Sequence, residues 1–65
     1  MEITVNGLKE SSAPGTVADL VARKGLTAEA LVVELNQQII KQEQWPACAL
    51  KEGDRLELLN FVGGG

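Results

Sequence analysis

The sequence predicts an α+β domain in two layers, one helix packed on a mixed sheet of four or five strands. Three observations carry this expectation. Alternating apolar residues flank the dipeptide Asn6-Gly7 near the start, one short stretch of helical periodicity lies between Thr16 and Gly25, and a second alternating run extends from Arg55 to Val62. A single helix covers one face of a sheet, so the element order β-β-α-β-β-β gives two layers rather than three. The first and last strands are expected side by side and parallel in the centre.

The elements follow in order. Glu2 to Glu10 reads as a hairpin. Ile3 and Val5 alternate with polar neighbours, and Asn6-Gly7 suits a type I′ turn, which needs positive φ at both central residues. Val5 and Leu8 then face each other across the turn and share one face. Ser11 to Gly15 is a loop by composition. Thr16 supplies an N-cap hydroxyl with Asp19 three residues on, a capping-box arrangement. Val17, Leu20 and Val21 fall on one helical stripe. Arg23 and Lys24 occupy the last turn, where the helix dipole favours cations. Gly25 suits the left-handed residue just past the end, with Leu26 packing back on Val21. Thr27 to Ala30 is a connector without a clear assignment. Leu31 to Leu35 is a β-branched run of strand length, Asn36 to Gln38 a turn, and Ile39-Ile40 the start of a short strand. Gln42 to Trp45 reads as one helical turn that stops before Pro46, because proline disfavours the α region in the residue preceding it. Lys51 to Asp54 is a turn, and Arg55 to Val62 the last strand. The core is expected to comprise Val5, Leu8, Val17, Leu20, Val21, Val33, Leu35, Leu56 and Leu58.

Composition narrows the function. Sixty-five residues make one domain with a small core and no room for a deep cleft beside it. The apolar fraction of 45% argues against disorder. A net charge of −3 disfavours a phosphate-backbone partner, which needs clustered Lys and Arg. The single cysteine, Cys48, excludes an intramolecular disulfide and suits a reducing compartment. Strand-like residues begin at Glu2 and no run approaches the ~20 apolar residues of a membrane span, so a soluble cytoplasmic protein is expected.

Chemistry-bearing residues are few. The chain has no histidine and no tyrosine, which removes most nucleophile–base pairs and most metal sites, and no metal site is expected. Ser11-Ser12 has no base nearby in sequence. Glu52 and Asp54 flank Gly53 in a turn, where charge is ordinarily solvated. Cys48 sits among Ala47, Ala49 and Leu50 with no basic residue close in sequence, which favours a packed thiol over a reactive one. Trp45 is expected to pin residues 42–50 onto the core rather than to anchor a partner. An enzyme with its own active site is the least supported class.

What remains is Gly63-Gly64-Gly65, joined to the last strand without a spacer. Three glycines beside no following helix do not cradle a phosphate. They are either a frayed end or a thin thread without side chains that enters another protein and presents a carboxylate there. A domain over residues 1–62 followed by a tail over 63–65 is the expected organisation.

Four stretches, "ITVNG", "VELNQQIIKQEQW", "KEGDRLELL" and "FVGGG", resemble the sulfur-carrier proteins of the ubiquitin-like β-grasp fold, most closely the ThiS family of thiamine biosynthesis. The resemblance covers nearly the whole chain, and Asn36, Ile39 and Trp45 mark its more specific central part. It implies that Gly65 is the site of adenylation and thiocarboxylate formation, with Gly63 and Gly64 presenting it. It implies three partners: a ThiF-like adenylyltransferase that uses ATP and Mg²⁺, a sulfur source derived from a cysteine desulfurase, and a thiazole synthase. The chain itself binds no cofactor in this reading and is a co-substrate rather than an enzyme. Period 2 along the last strand turns Leu56 and Leu58 to the core and leaves Glu57, Leu59 and Phe61 as a partner-binding patch beside the tail. Two rivals keep the same fold and glycines: a sulfur carrier for molybdopterin or amino-acid sulfuration, and a ubiquitin-like conjugation or binding module.

Overall fold

In the computed structural model, which describes residues 1–61, five strands form one mixed sheet. They are β1 (Glu2–Val5), β2 (Leu8–Ser11), β3 (Leu31–Leu35), β4 (Gln38–Ile40) and β5 (Arg55–Asn60). The spatial order is β2-β1-β5-β3-β4. β5 is central, parallel to β1 and antiparallel to β3. The expected pairing of first and last strands is therefore present. Val62, the expected end of the last strand, and Gly63, Gly64 and Gly65 lie outside the described residues.

Both hairpins turn on asparagine. Asn6 and Gly7 have φ of 51° and 82°, and Asn36 and Gln37 have 51° and 72°, the left-handed pairs a type I′ turn demands. Each asparagine side chain also reaches β5. Asn6 Oδ1 accepts from the Leu58 amide at 2.7 Å and Asn6 Nδ2 donates to the Leu58 carbonyl at 3.3 Å. The side chain thus imitates the peptide group that β1 would place there had it continued. Asn36 Oδ1 accepts from the Arg55 amide at 3.0 Å.

The helix α1 (Val17–Arg23) lies across one face of the sheet. Thr16 and Asp19 close the capping box reciprocally. At the other end the Gly25 amide donates to Ala22 and the Leu26 amide to Val21, the paired bonds of a Schellman motif. Val17, Leu20 and Val21 are buried against Ile3, Val5, Val33, Leu56 and Leu58. Leu31, Trp45 and Leu50 complete this core, Trp45 donating its Nε1 proton to the Ile40 carbonyl at 2.9 Å.

Three expectations are corrected. Leu8 faces Val5 as predicted, yet it is 74% exposed, because β2 is an edge strand and a seven-residue helix ends before reaching it. Leu35 does contribute to the core as expected, partly buried and packed against it near the end of β3. The turn after β4 does not stop at Trp45: a 3₁₀ helix spans Gln42–Ala47 through Pro46. Its bonds, Gln44 amide to Lys41 and Cys48 amide to Trp45, need no proton from the proline nitrogen. Asp54 is not solvated but buried. Its carboxylate accepts from the Lys51 amide at 2.7 Å and from Asn36 Nδ2 at 3.0 Å. Glu52 likewise accepts from the Glu2 amide at 3.0 Å, tying the turn to the start of β1. The unassigned connector holds a single 3₁₀ turn, Ala28–Ala30.

Candidate functional site

β5 determines what faces outward next to Phe61. Its even positions, Leu56 and Leu58, point under α1, and its odd positions point to the face that no helix among the described residues covers. On that face Leu59 is 50% exposed and lies opposite Val32, and Glu57 lies opposite Glu34. Phe61, just beyond the strand, is 43% exposed, and its amide donates to the Ala30 carbonyl at 3.0 Å. Glu57, Leu59 and Phe61 are thus brought to the surface together, as expected from the strand period. Ile39 on β4, opposite Glu34, extends the exposed apolar area across the sheet. Ile39 is exposed because β4 is the edge strand of the sheet and Ile39 shares the outer face with Glu34.

The chain is held firmly up to Phe61. β5 is hydrogen-bonded on both sides, and the Asn6 side chain adds two bonds at Leu58 where β1 has ended. That clamp was not foreseen. An Asn-Gly turn is visible in sequence, but its reach across 52 positions to β5 is not. The expected carboxylate site Gly65 and its presenting residues Gly63 and Gly64 lie outside the described residues.

Elsewhere the chemistry is sparse. Among the described residues no three His, Cys, Asp or Glu side chains are grouped to hold a metal ion. Cys48 is half-buried beside Ile40, Gln44 and Ala47, and its carbonyl accepts from the Val17 amide at 2.9 Å. It joins the 3₁₀ segment to the helix start. The Asp19 carboxyl titrates below its ordinary value of 3.8, held down first by the Thr16 amide and next by the Thr16 hydroxyl. No described helix is long and apolar enough to cross a membrane.

Among the described residues, a central strand paired in parallel with the first and one capped helix on one face of the sheet define a ubiquitin-like β-grasp domain. The ThiS family model matches residues 1–65, and the chain belongs to the ThiS family. It is 32% identical over 65 residues to the sulfur carrier protein ThiS of Bacillus subtilis, covering all of this chain and 98% of that one. The crystal structure of the thiamine biosynthesis protein ThiS from Geobacter metallireducens superposes with a TM-score of 0.83 at 38% identity, over the full length of both chains. The chain is also 33% identical over 66 residues to a thiazole synthase of Paramagnetospirillum magneticum, spanning only 20% of that protein's length.

Proposed function

We propose that this chain is a sulfur carrier of thiamine biosynthesis and that its Gly65 carboxylate carries the sulfur. The observation behind this reading is the family match along the whole chain, together with three glycines placed directly after Val62. A carboxylate is a poor acyl donor. In the proposed cycle a ThiF-like adenylyltransferase binds ATP and Mg²⁺, and the Gly65 oxygen attacks the α-phosphate with pyrophosphate leaving. The resulting acyl-adenylate has AMP as its leaving group. A persulfide derived from a cysteine desulfurase attacks the acyl carbon and expels AMP. Cleavage of the acyl disulfide by a second thiol leaves the terminal thiocarboxylate, which a thiazole synthase consumes. Free thiols and a thiocarboxylate suit a reducing cytoplasm.

In this cycle the chain contributes a carboxylate and a recognition body. Gly63 and Gly64 lack Cβ atoms, so their backbone fits a tunnel that a larger residue would not enter. Glu57, Leu59 and Phe61 form the surface that meets the activating enzyme. The similarity to part of a thiazole synthase favours that enzyme class as the acceptor over the molybdopterin and conjugation alternatives.

The test is intact mass after incubation with ATP, Mg²⁺, a sulfur source and the ThiF-like enzyme. One oxygen-for-sulfur exchange is expected. Deleting Gly65 should abolish it, along with ATP–pyrophosphate exchange, while circular dichroism stays unchanged. The reach shortens by roughly 3.3–3.6 Å, and a displacement of about 1 Å in a reacting geometry can cost about a hundredfold. A folded deletion variant that still exchanges at the parent rate sinks the carrier role.

A further inference from the structure

The dipeptide Asn6-Gly7 carries a reactivity that neither the turn nor the carrier role uses. Asparagine is a chemically labile residue. The amide nitrogen of the residue after it can attack its side-chain carbonyl carbon, and glycine, with no Cβ, obstructs that attack least. The chain has three asparagines, Asn6, Asn36 and Asn60. Asn36 occupies the same left-handed turn position as Asn6, with φ of 51° at both, but Gln37 follows it, and Phe61 follows Asn60. Asn6 alone has an unhindered neighbour. Asn6 and Gly7 are exposed, and a Cβ built at Gly7 would meet nothing within 4 Å, so base and water reach the pair.

The same amide is held by the fold. Asn6 Oδ1 accepts from the Leu58 amide at 2.7 Å, and Nδ2 donates to the Leu58 carbonyl at 3.3 Å. These two bonds fix the amide plane against β5, so it cannot turn freely to meet the Gly7 nitrogen. Reaction needs the two atoms aligned at about 3–3.5 Å. β1 pairs with β5 as far as Leu56, and at Leu58 the Asn6 side chain takes its place.

We propose that Asn6 is a deamidation site, that its bonds to Leu58 suppress the reaction in the folded chain, and that the reaction releases β5 on its β1 side. A base takes the Gly7 amide proton, and the nitrogen attacks Asn6 Cγ. The Cγ–Nδ2 bond breaks, and the side-chain nitrogen leaves as ammonia with a proton from water. Water then opens the cyclic imide at either carbonyl, giving aspartate or isoaspartate. Aspartate offers the Leu58 carbonyl only another acceptor. Isoaspartate adds an atom to the main chain of a turn whose two-residue length sets the pairing of Val5 with Leu8. Either product breaks the clamp. This chemistry does not depend on the carrier reading.

The full chain is incubated at mildly alkaline pH, folded in buffer and unfolded in urea. Products are followed by peptide mapping and by enzymatic methylation of isoaspartyl carboxylates. Conversion should fall on Asn6 and spare Asn36 and Asn60, and it should be at least about tenfold slower in the folded chain, where the clamp must first open. The aged chain, separated by its extra negative charge, should melt below the parent, as should N6D, and the Leu58 amide should exchange at least about tenfold faster in both. N6G keeps the positive φ without the amide; it should not convert, and its Leu58 amide should exchange fast from the outset. Equal conversion rates in the folded and unfolded chains overturn the protection. Conversion of Asn36 or Asn60 ahead of Asn6 overturns the site. An aged chain whose Leu58 amide exchanges like the parent's overturns the release of β5.

Discussion

Leu58 and Leu59 are the same residue in neighbouring positions of one strand, yet Leu58 is 7% exposed and Leu59 50%. Nothing in their chemistry separates them. The pleat of β5 does, sending one under α1 beside Leu56 and the other to the bare face beside Val32 and Phe61. The difference teaches that in a domain this small, burial and exposure are divided by the two sides of a single strand. The inner row extends upstream to Asp54, buried and fully bonded, and downstream to Asn60, which is exposed once the helix no longer covers it.

The largest effect expected from testing this division is at Leu58. Leu58→Ala removes a large buried side chain and should cost about 2–5 kcal/mol in denaturant unfolding, much of the total stability of a chain this size. Equal losses for Leu58→Ala and Leu59→Ala would erase the distinction between the faces. Next comes the polar end of the inner row. Asp54→Ala strands the Lys51 amide and Asn36 Nδ2 and should cost about 1–3 kcal/mol, with Asp54→Asn recovering part of it because Oδ1 remains. A variant as stable as the parent would move Asp54 out of the inner row.

On the outer row the expectation reverses. Leu59→Ser or Phe61→Ser should leave unfolding within about 0.5 kcal/mol of the parent while weakening the complex with the activating enzyme, as read by titration calorimetry. A large loss of stability at either position would assign it to the core. The smallest effect lies on neither row. Asp19 titrates below its ordinary value of 3.8 because the folded chain binds its charged form. Its contribution is complete above that value and is lost as the pH falls through the lowered folded one. Melting curves collected across the acid range should show Asp19→Asn removing that part of the pH dependence and little else.

Most of the fold was legible because it rests on short-range rules. Alternation marked β1 and β5, a β-branched run marked β3, and Thr16, Asp19 and Gly25 marked both ends of α1. The outer patch was legible for the same reason, since Glu57, Leu59 and Phe61 follow from the period of β5 alone. The misreadings of Leu8 and Asp54 depend on distant partners. Leu8 has the right face but no cover, a matter of where a helix nine positions downstream stops relative to an edge strand. Asp54 looks like an ordinary turn residue until Asn36, 18 positions earlier, is seen to donate to it. Pro46 excludes an α-helical residue before it yet sits inside a 3₁₀ turn whose bonds avoid its nitrogen. The opposition of Glu34 and Glu57 requires a strand register, which no local pattern specifies.

The clamp from Asn6 to Leu58 has a mechanical consequence. A partner that draws the chain beyond Phe61 into itself pulls β5 along its own axis. The bonds from β5 to β1 and β3, and the two from Asn6, run across that pull, so they load together instead of opening one by one as a peeled edge strand would. The domain can therefore bear tension applied beyond Phe61 without giving up the strand that supports the outer face.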